Sequence, residues 1–174
     1  MISLSSLTLT DSECSCAVCQ NMCQHRPCWP TPVEVRKLIA EGYSDRLMVD
    51  WWCDDSYDDS LADIPILCPA GVGHEKDDAD EGSWLRRPDM RCNLLTKDNL
   101  CSIHHMKPTE GRCVNHVPGG PGSKVHEAVA ESWNNPEARK LVWEWVQATG
   151  YNGRFLGALI VWAKSQEKEQ LHAC

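Results

Sequence analysis

Cys14-Ser-Cys16-Ala-Val-Cys19-Gln-Asn-Met-Cys23-Gln-His25-Arg-Pro-Cys28 puts five thiols within fifteen residues. So dense a group has three uses: to grip a metal, to pair as disulfides, or to run redox chemistry. Two thiolates spaced as Cys16-x2-Cys19 can turn onto one ion, because the amides of a tight turn point at the sulfurs and offset their charge. Cys23 follows after three residues, a distance that suits zinc or an iron–sulfur cube. The gaps are not those of the bacterial ferredoxin run. A zinc finger would need a second Cys-x2-Cys or a His-x3-5-His pair, and neither is present. The run is expected to supply part of a metal or iron–sulfur site, with the rest arriving from Cys92, Cys101 and Cys113.

That second group reads Cys92-x8-Cys101-Ser-Ile-His104-His105-Met-Lys107-Pro108-x4-Cys113. A hairpin followed by a proline-stiffened return can present three sulfurs to one point. Lys107 and Arg112 would lie beside them, and positive neighbours lower a thiol's pKa and balance a thiolate-rich centre. His25, His104, His105 and His116 are read as surface groups or hydrogen-bond partners of ligands. Neither His74-Glu75 nor His126-Glu127 completes a His-Glu-x-x-His motif, so zinc-protease chemistry has no support.

The two groups together resemble the CxxCxxCC-type zinc- or iron-chelating domain family, the YkgJ-like proteins. Cys16, Cys19 and Cys23 match the first, second and fourth opening cysteines of that family, with Met22 in the place of the third. Thr31-Pro32-x-Glu34 is similar to the helix start that follows, and Cys68 and Cys92 to the middle cysteines. Cys101-Ser-Ile-His104, Lys107-Pro108 and Cys113 resemble the closing motif. His104 stands for a tyrosine, Lys107 for an arginine, and the closing gap is two residues longer. The resemblance spans about residues 14–116 and implies metal or Fe–S binding. Cys28, five residues after Cys23, can replace the missing opening cysteine. The candidate metal ligands are therefore Cys16, Cys19, Cys23, Cys28, Cys68, Cys92, Cys101 and Cys113. They suffice for two four-ligand sites, and one site with spares is the first choice. Cys53 and Cys174 are read as ordinary thiols.

The formal net charge of −8 argues against a nucleic-acid backbone as partner. The acidic runs at Asp54 to Asp63 and at Glu75 to Glu81 read as solvated loops. No apolar stretch is long enough to span a bilayer, so no membrane partner is expected. Residues 1–11 carry no secretory pattern, and a reducing cytoplasm would keep the 11 cysteines free for metal. An exported, disulfide-linked protein is the contrary case. Eight Trp against one Phe is an unusual bias.

These residues need elements to hold them. Thr31 as cap, Pro32 in the first turn and Glu34 three residues after the cap predict a helix closed by a capping box and ended at Gly42. Met48 to Trp52 is a short apolar segment, strand or helix. Cys53 to Arg87 reads as a long irregular excursion, with a short strand at Leu61 to Leu67. Met90–Leu95 and Leu100–Ile103 read as a hairpin around the Thr96–Asn99 turn. Pro118 to Gly122 is a linker. Three helices follow, from about Lys124 to Trp133, from Pro136 to Thr149 with Asn135 as cap and Gly150 as stop, and from Asn152 onward.

The expected fold class is α+β, irregular: a loop-rich cysteine region with short strands (1–122) packed on C-terminal helices (123–174) in one compact domain. The expected function is a cysteine-ligated 4Fe–4S protein of redox or modification type, acting on an unknown protein or small-molecule partner. The alternative is a zinc module in which the metal only staples loops together.

Overall fold

The computed structural model describes residues 4, 17–52, 64–76, 90–113, 122–151, 153, 157, 160 and 161. Cys14, Cys16, Cys53, Cys174, His116, the first acidic run, most of the second and most of the third C-terminal helix lie outside the described residues.

The chain mixes helices with a small antiparallel sheet, an α+β arrangement. Helix α1 (Ala17–His25) carries Cys19 and Cys23. Helix α2 (Pro32–Ala40) starts as its residues dictate: Glu34 N–H donates to Thr31 Oγ1, and Thr31 N–H donates to Glu34 Oε2 at 2.8 Å. Val35 and Leu38 are its buried face. Strands β1 (Leu47–Trp52) and β2 (Ile64–Pro69) pair antiparallel in the register Leu47↔Pro69 to Trp52↔Ile64. Five of six β1 residues and all six β2 residues are buried, so both faces are covered. This explains why Met48–Trp52 shows no alternation: a strand buried on both sides has no polar face to mark its period.

Short helix α3 (Thr109–Cys113) follows the Lys107-Pro108 pair. Helices α4 (Gly122–Trp133) and α5 (Pro136–Thr149) follow. Asn135 Oδ1 accepts from Ala138 N–H at 2.9 Å and caps α5, and Gly150 ends it at φ 70°. That left-handed conformation suits glycine. Helices α2, α4 and α5 all pack on β2. One hydrophobic cluster runs from Trp29 and Val35 through Ile66 and Leu67 to Val129, Trp133 and Trp145. Trp133 Nε1 donates to Pro30 O at 2.8 Å, and Trp145 Nε1 to Ser44 O at 3.0 Å. These bonds tie the C-terminal helices to the segments flanking α2. No helix among the described residues is long and apolar enough to cross a membrane.

The short strand expected at Leu61 to Leu67 within the region after Cys53 is present as β2, over Ile64–Pro69, and pairs along its whole length with β1. Two expectations need correction. Met90–Leu95 and Leu100–Ile103 do not form strands. Only single bridges occur, Leu95↔Cys101 and Gly71↔Cys92, with tight turns between them. The intended turn does form, with Thr96 N–H bonding Leu100 O at 2.8 Å, but its ends leave for different partners before a ladder can grow. Finally, Cys19 and Cys23 sit on a helix, not on a tight turn. Helical amides from the second turn on are spent on the carbonyl four residues back, so they are not the amides that face sulfur.

Candidate metal centre

The end of α1 and the Met90–Cys101 segment meet directly. Cys92 N–H donates to Cys23 O at 2.9 Å, and Met90 N–H to His25 O at 3.1 Å. Cys92 is also bridged to Gly71, just beyond β2, and Cys101 to Leu95. Gly71 has no room for a side chain, because a Cβ there would lie 2.1 Å from Met90 Cγ. Thus three distant segments cross at one place, where Cys23 acts on Cys28 as well as on Cys92 and Cys101. Cys23 and Cys28 hydrogen-bond through their side chains. Cys23 acts on both Cys92 and Cys101, and Cys101 acts on Cys92.

Each of the two late sulfurs takes a backbone amide from two residues on: Leu94 N–H points at Cys92, and Ile103 N–H at Cys101. An amide dipole aimed at sulfur favours the thiolate. The amide-to-sulfur geometry expected for the opening cysteines is therefore found in the closing group.

Cations surround the sulfurs. Lys107 is 7% exposed and makes no ion pair or side-chain hydrogen bond among the described residues. The groups it acts on are Cys23 and Cys101. Arg26 lies near Cys23 and Cys28. The hydrogen bond from Cys28, against the opposing effect of burial and with help from Lys107 and Arg26, lowers the Cys23 thiol to about 7. Its partner Cys28 is raised, first by that same hydrogen bond and then by burial. Burial pushes Cys92 up to about 12 despite the Leu94 amide, and raises Cys101. The set thus has one thiol inclined to ionise and three that need a stronger positive charge to do so.

The remaining predicted ligands are placed differently. Cys68 is fully buried in β2, with Asp50 and Cys92 as neighbours, and burial raises it. Cys113 is buried on α3 with Arg112, Glu34 and Glu110 around it, and no thiol acts on it. Neither Cys92 nor Cys101 is among the groups that act on Cys113, which has Glu34 of α2 near it instead. Cys19 is buried and disulfide-bonded, so it offers no thiolate in this state. Cys16 lies outside the described residues. Of the histidines, His105 and His25 are exposed, and His25 pairs with Asn21 at 3.2 Å.

A second buried polar group adjoins the sulfurs and has no counterpart in the sequence reading. Glu110, 1% exposed, accepts from Arg26 Nη2, from Trp29 N–H at 2.6 Å and from His126 Nδ1 at 2.9 Å. Burial works to raise this carboxyl, yet Arg26 and then His126 hold it at about 2. His126 stacks on Trp29 with ring centroids 3.8 Å apart and meets Trp52 edge-on. Trp29 Nε1 donates to Asp50 Oδ2 at 2.7 Å, and burial raises the Asp50 carboxyl. Arg26 therefore joins the two groups, with sulfur on one side and Glu110 on the other. No periodicity or motif marks these residues, because partners such as Arg26 and Glu110 are far apart in the chain.

Among the described residues, no three His, Cys, Asp or Glu side chains are already gathered closely enough to hold a metal ion. No family model, curated protein or solved structure matches the chain.

Proposed function

We propose that Cys23, Cys28, Cys92 and Cys101 bind a metal centre as thiolates. The observation that carries the reading is buried Lys107. An ammonium removed from water needs a negative partner close by, and leaving it unpaired costs several kcal/mol, at least ~3 by analogy with broken buried ion pairs. No carboxylate answers Lys107 among the described residues; Cys23 and Cys101 do. A divalent ion or cluster supplies the positive charge that turns the buried thiols into thiolates, and the thiolates then answer Lys107 and Arg26. The Leu94 and Ile103 amides support the same charge state.

A single tetrahedral ion such as zinc is favoured by the Cys23–Cys28 contact. With zinc–sulfur bonds of about 2.3 Å, ligand sulfurs of one ion sit roughly 3.8 Å apart. Such a centre staples the crossing of loops and β2 that holds the fold together. The 4Fe–4S reading, with redox or modification chemistry on an unidentified partner, rests on the number of candidate thiols and on their resemblance in spacing to chelating-domain cysteines. The closing motif around Cys101, Lys107-Pro108 and Cys113 supports a place among the CxxCxxCC-type chelating proteins. A reducing compartment such as the cytoplasm is the setting in which thiols stay free to bind metal.

The test is elemental analysis with a visible spectrum on the full chain purified under reductant and without oxygen. Stoichiometric zinc in a colourless protein supports the single ion. Iron with equal acid-labile sulfide and a brown colour supports the cube. A folded, reduced chain with neither overturns the metal reading.

A further inference from the structure

Asp50 and Glu110 are the buried carboxyls among the described residues, and they are answered unequally. Glu110 Oε1 takes both Arg26 Nη2 and His126 Nδ1. Asp50 takes neutral donors: Trp29 Nε1 reaches Oδ2 at 2.7 Å, and Trp51 N–H reaches Oδ1 at 2.8 Å. Among the described residues no cation lies within ion-pair distance of it. A carboxylate buried without a cation is costly, so such a place favours the protonated acid. Burial accordingly raises the Asp50 carboxyl, against the Trp29 and Trp51 hydrogen bonds. The cations that do act on Asp50 from further off, His126 first and Arg26 next, are the two that Glu110 already holds. Trp29 joins the two acids, since its N–H reaches Glu110 Oε2 at 2.6 Å and its ring nitrogen reaches Asp50. His126 stacks on that same indole, with centroids 3.8 Å apart, and so stands beside the donor that both carboxyls share. The charged and titratable groups around Asp50 are Arg26 after α1, Cys68 on β2, Glu110 on α3 and His126 on α4. Cys68 is outside the proposed metal-binding set.

We propose that Asp50 is a proton-operated switch on the seating of α4. With the proton on, Asp50 is a neutral acceptor for Trp29, and Glu110 keeps both Arg26 and His126. With the proton off and passed to water, a second buried carboxylate competes for the same two cations. His126 is the one on α4, so its shift toward Asp50 loosens the contact of α4 with Glu110 on α3. Trp52, two residues after Asp50 on β1, meets His126 edge-on with centroids 5.2 Å apart, and its packing changes in the same step. The sign follows from linkage. Folded Asp50 keeps its proton above its ordinary value of 3.8, where the unfolded chain has shed it. Stability from this group therefore falls as pH rises through that window, and α4 is held more firmly on the acid side. The device needs no metal and no sulfur.

The experiment is an NMR titration of the full reduced chain, with carbon-13 in the aspartate carboxyls and nitrogen-15 in the histidine rings. The Asp50 carboxyl signal is identified by its loss in Asp50→Asn. Its midpoint is expected above 3.8, and the His126 ring nitrogens are expected to show a step at that same midpoint. In Asp50→Asn, which holds the site neutral, that His126 step is expected to be absent. An Asp50 midpoint at or below 3.8, or His126 signals that do not respond to it, overturns the inference. Should Asp50→Asn fail to fold, Trp29→Phe decides. It removes the ring donor that favours the carboxylate and keeps the main-chain bond to Glu110, so the Asp50 midpoint is expected to move further up. An unmoved midpoint overturns the inference as well. None of these outcomes depends on metal content, so the metal reading stands or falls separately.

Discussion

The amide of Cys92 donates to the carbonyl of Cys23 at 2.9 Å, so the opening and closing cysteine groups are joined by main chain before any sulfur is considered. Because this contact does not depend on the side chains, single cysteine variants test the metal without first dismantling the crossing.

Cys101→Ser and Cys23→Ser are each expected to lose bound metal and soluble yield together, since a missing ligand removes binding energy that is also folding energy. Cys113→Ser, where Arg112, Glu34 and Glu110 rather than a thiol act on the sulfur, is expected to keep its metal. Metal-to-protein ratios of the three purified variants decide this. Full occupancy in both Cys23→Ser and Cys101→Ser would show the ligand set to be wrong.

Lys107→Met keeps the length of the side chain and removes its charge. Metal affinity is expected to fall by about 10-fold or more, the usual cost of losing a partner of ligating groups. Competition with a chelator of known affinity measures the change. An unchanged affinity would mean that the buried ammonium is not answered by the sulfurs.

Glu110→Gln leaves Arg26 and His126 without their shared carboxylate in a buried place. A loss of about 3 kcal/mol or more is expected in denaturant unfolding at neutral pH. The pH dependence has a definite sign. The folded Glu110 carboxyl lies at about 2, below its ordinary value of 4.5. Its contribution is complete above the ordinary value and is lost as pH falls from there toward 2. The difference between wild type and Glu110→Gln should shrink over that window. Asp50, raised by burial, acts in the opposite sense, so the difference between the two proteins is the quantity to follow.

Glu34 closes its own helix cap and also receives Thr109 N–H at 3.0 Å, Thr109 Oγ1 at 2.7 Å and the Arg112 guanidinium. Glu34→Gln is expected to cost about 2 kcal/mol, more than a cap alone, because a charge-assisted link between α2 and α3 goes with it. A lower urea midpoint with an unchanged slope would show this.

Sequence legibility follows the range of the interactions. The α2 and α5 caps are readable because Thr31 with Glu34, and Asn135 with Ala138, act within one turn. The convergence of early and late thiols is suggested by residue type alone; what the structure joins directly is main chain, Cys92 N–H to Cys23 O, and no three thiols are gathered at single-ion distance among the described residues. Which sulfurs meet is not readable, because α1 and α3 set the directions of Cys19 and Cys113. The Glu110–Arg26–His126 group is invisible in sequence. His126-Glu127 looks like half of a zinc motif, whereas the carboxylate that His126 uses belongs to Glu110 on α3. The tryptophan bias becomes intelligible once the indole nitrogens are followed. Trp29, Trp133 and Trp145 each donate a hydrogen bond from a buried ring, which phenylalanine cannot do.

Three successive residues serve three masters. Cys28 faces the sulfur group, Trp29 gives its amide to Glu110 and its ring nitrogen to Asp50, and Pro30 offers its carbonyl to Trp133 of α4. A tripeptide has no slack to let one of these attachments shift while the others hold. Slippage at the thiols must therefore pull on the acid pocket and the carboxy-terminal helices alike, and heating a metal-stripped chain should melt all three as one lowered calorimetric peak.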